Sequence, residues 1–177
     1  MRLFVAVWPD EATRELLSEL QGALSGLGGK GLSFVGPTRW HVTLQFLGEV
    51  SGELVEPLGA GLARAGASAG GALRCGLGPA TAWFPGGKVL QLPASGLEGF
   101  ADAVHQECGA VLGSASGERF SGHLTIGRAR GRAGPPGVAG IPCASTFDVT
   151  SVDLVQSEGT PEGHRYSTLA RVELGGG

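Results

Sequence analysis

Apolar and polar positions divide the chain into a short series of elements. Residues 2–8 (RLFVAVW) are apolar, rich in β-formers and closed by Pro9, which predicts a buried strand. In 11–24, Leu16, Leu17, Leu20 and Leu24 recur at helical spacing behind Asp10, a good N-cap residue, and the glycines from Gly26 to Gly31 predict the helix end. In RWHVTLQFLGEV (39–50), His41, Thr43 and Gln45 alternate with Val42, Leu44 and Phe46, the pattern of a half-buried strand. A helix is expected over 53–66 despite Pro57 and its glycines, with strands near 72–84 and 87–92. Leu97, Phe100, Val104, Cys108 and Val111 form one stripe of a helix over 96–112. GHLTIGRAR (122–130) alternates again, 131–142 is a Gly/Pro-rich loop, and closing strands are expected at 146–156 and 164–174.

The elements repeat. Strand 3–7, helix 11–24 and strand 41–47 correspond in order to strand 88–92, helix 97–112 and strand 123–129, at offsets close to half the chain. Two similar lobes related by an approximate two-fold are therefore expected, within one domain spanning 1–177.

Composition narrows the classes. Hydrophobic residues make up 42% and charged residues 16%, and the 33 glycines follow no collagen period, so a folded, loop-rich protein is expected. A net charge of −3 disfavours a sequence-independent polyanion binder with a broad basic surface, so any nucleic-acid contact should be local. Cys75, Cys108 and Cys143 are scattered, odd in number and free of C-x-x-C spacing, which suits a reducing compartment. The apolar run from Leu3 to Trp8 is stopped by Pro9-Asp10-Glu11, far short of a signal-peptide core or a membrane span. A soluble, cytoplasmic monomer without membrane association is the expectation.

The chemistry concentrates at two equivalent places. His41-Val42-Thr43 and His123-Leu124-Thr125 occupy matching strands of the repeat. Side chains alternate across a strand, so each tripeptide presents an imidazole and a hydroxyl on one face and an apolar residue on the other. Packed about the pseudo-two-fold, the two pairs would meet across one cleft. Two imidazoles suit in-line displacement at phosphorus, one neutral to take a proton from water and one protonated to supply the leaving oxygen. Their reference pKa near 6.5 lets both states coexist near neutrality, and the hydroxyls can donate to non-bridging phosphate oxygens. No metal or cofactor is required by this scheme. Zinc fits less well, because no Cys, Asp or Glu stands at ligand spacing beside either motif, and no G-x-S-x-G elbow supports a serine hydrolase. Gly26–Gly31 lacks the P-loop pattern.

With the opening RLFVAV, the motifs RWHVTLQFLGEV and RFSGHLTIGRAR, and the closing SVDLVQSEGTPEGHRYSTLARVEL, the chain resembles the 2H phosphoesterase superfamily over nearly its whole length. It is most similar to the RNA 2′,3′-cyclic phosphodiesterases, also called 2′-5′ RNA ligases. The resemblance implies a two-lobed α+β fold, mainly antiparallel sheets with helices outside and the active site in the groove between lobes. It also implies hydrolysis of RNA 2′,3′-cyclic phosphate ends, or of nucleotides carrying them, to 2′-phosphomonoesters. His41 would protonate the leaving 3′ oxygen and His123 would activate water, while Thr43, Thr125, Arg119 and Arg128 would bind the phosphate. Run backwards, the same pair could join a cyclic end to a 5′-hydroxyl. A non-catalytic nucleotide or RNA-end binding module and a hydrolase of small cyclic nucleotides are the alternatives.

Two departures carry expectations. The family usually places proline before the second histidine, whereas Ser121-Gly122 stands here, which predicts a more flexible approach to His123. Arg128 lies at odd spacing from His123 and should point away from the cleft unless a bulge, near Gly127, turns it. His105 is expected exposed on its helix and His164, in the turn before the last strand near Tyr166, is a candidate rim residue but more commonly a solvated loop histidine, while Trp8, Trp40 and Phe46 are candidates for stacking on a base but more commonly core.

Overall fold

In the computed structural model, which describes residues 1–113, 119–161 and 163–174, the opening apolar run forms β1 (Arg2–Val7) and is followed by α1 (Glu11–Gly28). The Asp10 carboxylate caps α1, accepting from the Thr13 backbone N–H at 2.9 Å and satisfying one of the free donors of the first turn. There follow β2 (Leu32–Phe34), β3 (Val42–Glu49), α2 (Val55–Ser68), β4 (Leu73–Leu77), β5 (Ala82–Trp83) and β6 (Val89–Ser95). The chain closes with α3 (Glu98–Leu112), β7 (His123–Ala129), β8 (Ser145–Val149), β9 (Ser151–Thr160) and β10 (Gly163–Glu173).

The strands lie in the order β10-β9-β1-β3-β7-β6-β4-β8, with β2 beside β7 and β5 beside β6, and every registered pair is antiparallel. Counted outward from the middle, β3 matches β7, β1 matches β6, β9 matches β4 and β10 matches β8. The two lobes are the halves of this sheet. They join where β3 meets β7 through one registered pair, Val42 with Leu124, and beyond that pair the strands part.

Alternation along β1 separates the two faces. Leu3, Val5 and Val7 join Val42, Leu44, Leu124 and Ile126 in the main core, which the apolar stripes of α1, α2 and α3 cover. Phe4, Ala6 and Val155 form a smaller cluster on the other face, flanked by Trp8 and Tyr166 and without a helix over them. One face of the sheet is thus closed by helices, and the other carries the groove. The three cysteines are buried and free, and burial pushes the Cys75 thiol up to about 12 and that of Cys108 up to about 11.

Several sequence expectations are corrected. The strand expected over 72–84 is two, β4 and β5, separated by a turn holding the cis Gly78-Pro79 bond. The strand expected over 146–156 is broken at Thr150, so β8 pairs with β4 in one lobe while β9 pairs with β1 in the other. β2 is too short to give a periodicity signal. His105 is not a solvent residue: its Nε2 donates to the Leu44 carbonyl at 3.1 Å, tying α3 to β3. No helix among the described residues is long and apolar enough to cross a membrane.

Candidate active site

Pairing Val42 with Leu124 fixes the arrangement of the neighbouring residues. In antiparallel register His41 then stands opposite Thr125 and Thr43 opposite His123, all four on the face turned away from the core. The histidines occupy one diagonal of this arrangement and the threonines the other. The groove lined by His41, Thr43, His123 and Thr125 also receives Arg128, Arg39, Arg2, Phe4, Phe46, His164 and Tyr166.

The two imidazoles are held in the same way. His41 Nδ1 lies 2.6 Å from the Arg39 carbonyl oxygen, and His123 Nδ1 lies 2.8 Å from the Ser121 carbonyl oxygen, in each case two residues upstream. A carbonyl only accepts, so both bonds put the proton on Nδ1 and leave Nε2 unprotonated in the neutral ring. The repeated motif therefore leaves Nε2 of each imidazole as the ring nitrogen available for proton transfer.

Their surroundings differ. Phe4, Trp8 and Tyr166 pack about His41 with ring centroids 5.1, 5.5 and 5.4 Å away, whereas His123 has one aromatic neighbour, Phe84, at 4.7 Å. This packing desolvates the imidazolium and, against the Nδ1 bond to Arg39, lowers the His41 pKa from 6.5 to about 4, with the charges of His123 and Arg128 adding to the decrease. In the ligand-free groove at neutral pH, His41 is a neutral base.

Trp8 is anchored from behind. Its indole Nε1 donates to Asp153 at 2.9 Å, and this fully buried carboxylate also accepts from Thr168 at 3.0 Å and from Arg171 at 2.8 and 2.7 Å. The network sits beneath the aromatic wall of His41, on a strand whose sequence alone gave Asp153 no distinction.

Arg128 meets the condition set for it, a bulge beside Gly127. In the register of β6 with β7, Gln91 pairs with Thr125 and Leu90 with Gly127, so Ile126 is an extra residue and the strand bends there. Gly127 lets β2 come close, since a Cβ on it would lie 3.2 Å from the Ser33 carbonyl oxygen. Past the bulge Arg128 turns into the groove, near enough to His41 to act on its charge. β3 has the matching irregularity at Leu44, three residues after His41 as Ile126 is after His123. Phe46, 64% exposed, consequently holds the position equivalent to Arg128. Arg119 is exposed at the His123 end, lining an adjoining depression with Phe84 and Phe120.

Gly122 sits tightly against β6. A Cβ there would come within 2.4 Å of the Ala94 carbonyl oxygen on β6 and 3.0 Å of the Phe120 ring, so the glycine permits close backbone approach rather than looseness. Ala94 N–H donates to the Gly122 carbonyl at 2.8 Å, which fixes the entry to His123.

His164 stands at the start of β10, exposed at the rim of the groove that its ring lines, with Nδ1 3.2 Å from Ser157 Oγ. Of the aromatic candidates, Trp40 is wholly buried, Trp8 supports His41, and Phe46 reaches the groove. Phe4 and Tyr166, the remaining walls about His41, had a partial signal: an unbroken apolar β1 implies that its groove face is covered as well.

Comparison with known proteins gives the family and the fold. A family model described as LigT like phosphoesterase matches residues 7–70. The RNA 2′,3′-cyclic phosphodiesterase of Archaeoglobus fulgidus is 31% identical over 185 residues, covering 96% of this chain and 98% of that protein. A crystal structure of a Thermus thermophilus protein superposes with a TM-score of 0.81 at 29% identity, covering 99% of both chains. E. coli LigT, crystallised with 3′-AMP, shares the fold with a TM-score of 0.80 at 24% identity, covering 98% of this chain and 97% of its own.

Proposed function

The chain belongs to the LigT-like phosphoesterases of the 2H superfamily, and on that premise we propose that it hydrolyses the 2′,3′-cyclic phosphate at an RNA end to a 2′-phosphomonoester. The observation that carries this reading is the pair of Nδ1-anchored histidines placed diagonally with two threonines on one open face. The 31% identical relative named as an RNA 2′,3′-cyclic phosphodiesterase supports the same activity.

The phosphate sits between the diagonals. Thr43 and Thr125 donate to its non-bridging oxygens, Arg128 balances its charge, and Arg119 adds positive charge at the outer end. His123 Nε2 takes a proton from water as the water oxygen bonds to phosphorus. The bond from phosphorus to the 3′ oxygen breaks, and His41 Nε2–H supplies that oxygen with its proton. The cyclic ester and one water thereby become a 3′-hydroxyl and a 2′-phosphomonoester. A 5′-hydroxyl in place of water, losing its proton to His123 while His41 protonates the departing 3′ oxygen, would instead form a 2′-5′ phosphodiester, the ligation.

For His41 to donate, it must first be charged. Burial is the main cause of the low His41 pKa; a phosphate anion beside the ring would favour the imidazolium against it and against the Arg128 charge, so on this reading the proton arrives with the substrate. The neutral resting state of His41 supports a second assignment, in which His41 is the base and His123 the acid. NMR titration of both rings with a nucleoside 2′-phosphate bound decides between them: the donor is the imidazole that the phosphate brings to a pKa above neutrality.

The activity itself is tested with an RNA oligomer ending in a 2′,3′-cyclic phosphate, with identification of the phosphomonoester formed. Turnover to a 2′-phosphate, abolished in both His41→Ala and His123→Ala, is expected. Binding of the oligomer without turnover by the unsubstituted protein would establish a binding module instead, and turnover confined to small cyclic nucleotides would narrow the substrate class.

A further inference from the structure

The groove extends beyond the His-Thr square. At its far side, Arg2 on β1 and Ser157 on β9 meet His164 on β10, and Arg39 reaches over from the turn before β3. The strand registers place them together: Leu3 pairs with Gln156, one step from Arg2 and Ser157, and Ser157 pairs with Tyr166. Arg39 Nη1 lies 3.3 Å from the position that a Cβ would take on Gly163, beside His164. The Ser157 Oγ contact at 3.2 Å holds His164 by Nδ1 and leaves Nε2 for the groove.

Charge singles this corner out. The chain carries a net charge of −3, yet among the described residues no Asp or Glu lines the groove. Ion pairs among the described residues engage Arg64, Arg74, Arg165, Arg171 and the amino terminus, and none engages Arg2, Arg39 or Arg128. Glu49, opposite Arg2 in the β1–β3 register, is 3.2 Å from the amino terminus instead. A cyclic phosphate carries a single negative charge, which Arg128 and the His-Thr square already meet. Among the described residues the guanidiniums of Arg2 and Arg39 have no carboxylate partner, and a second anion between them would relieve their mutual repulsion.

We propose that Arg2, Arg39, Ser157 and His164 form a second anion subsite for the phosphodiester that joins the terminal nucleoside to its 5′ neighbour. The inference rests on the phosphodiesterase reading above and deepens it: the preferred substrate is an RNA end of at least two nucleotides. The second anion is the internucleotide diester.

The test compares kcat/KM for four compounds: adenosine 2′,3′-cyclic phosphate, its 5′-phosphorylated form, a dinucleotide ending in the cyclic phosphate, and that dinucleotide with an uncharged methylphosphonate linkage. The charged dinucleotide is expected to exceed its uncharged counterpart on the order of tenfold, as hydrogen bonds to a charged group warrant. Arg2→Gln and Arg39→Gln should each bring that ratio toward one. A ratio near one in the unsubstituted protein overturns the subsite, and a 5′-phosphorylated mononucleotide as good as the charged dinucleotide overturns its assignment to the diester. Turnover of none of the four overturns the phosphodiesterase reading instead. Calorimetry on the same two dinucleotides ending in a 2′-phosphomonoester reads the subsite without turnover, with the same tenfold ratio expected and the same result near one against it.

Discussion

His41 and Tyr166 meet edge to face, with ring centroids 5.4 Å apart and planes at 88°. With Phe4 and Trp8, this contact removes water from one imidazole of a pair that the sequence makes look equivalent, and lowers its pKa to about 4. NMR titration of the free protein should therefore find His41 deprotonating near 4. Tyr166→Ala opens the cage to water and should move that value back toward 6.5.

The same shift makes stability depend on pH. The folded-state pKa is depressed, so between 6.5 and 4 the unfolded chain binds a proton that the folded chain does not. The stability contributed by neutral His41 is complete above 6.5 and is lost as pH falls toward 4, by about 3 kcal/mol. Urea denaturation at pH 7 and pH 4 should show a difference about 3 kcal/mol smaller for His41→Asn than for the unsubstituted protein.

Arg128 faces the groove because β7 carries one extra residue, Ile126. Arg128→Gln should lower kcat by roughly 10²-fold, the usual effect of removing one donor from a developing phosphate charge. Since the Arg128 charge helps to lower the His41 pKa, the substitution should also raise that pKa in the free protein, an outcome readable by NMR without substrate. Arg128→Lys keeps a charge but not the planar fork, so it should restore more of the pKa than of the turnover.

What could be read from the sequence was whatever repeats or alternates. The His-x-Thr tripeptides gave the strands, their common face and the two-fold, because period-two alternation and duplication are local signals. The Val42–Leu124 register, from which the square follows, pairs residues in opposite halves of the chain and has no local signal. Whether Arg128 faces the groove was left conditional for the same reason: parity assumes a regular strand, and the bulge that Gly127 suggested is set by pairing with β6. Asp153, Arg2, Arg39 and His164 become neighbours of the groove only when β9 and β10 fold back beside β1.

Gly122 offers a test of whether the approach to His123 is loose or fixed. A Cβ 2.4 Å from the Ala94 carbonyl must push β6 and β7 apart, since the obstacle is backbone and cannot rotate away. Gly122→Ala should therefore lower stability by about 1–3 kcal/mol, the usual cost of overpacking, and lower turnover by displacing His123. Gly22→Ala is the control: that glycine lies inside α1 with nothing within 4 Å, and the alanine should stabilise by about 0.5–1 kcal/mol without altering turnover. Thermal melts and initial rates on the two variants check both expectations.

Asp153 links the stability of the outer strands to the chemistry of His41. Its carboxylate has 0% exposure and serves three partners, so Asp153→Ala leaves the Trp8 indole N–H and the Thr168 hydroxyl without their acceptor and Arg171 without its counter-charge. The side chain of Arg171 is 55% exposed and can return to water, which limits the penalty, and a loss of about 3 kcal/mol is expected in urea denaturation. Asp153→Asn retains one oxygen for Trp8 or Thr168 but presents N–H groups to Arg171, and should cost less. Both variants free the Trp8 ring to move from its place 5.5 Å from the His41 ring, admitting water to the imidazole. The His41 pKa should then rise from about 4 in the order unsubstituted, Asp153→Asn, Asp153→Ala. Unchanged titration in a folded Asp153→Ala protein would show that Trp8 keeps its place without the carboxylate, and that the network serves the outer strands alone.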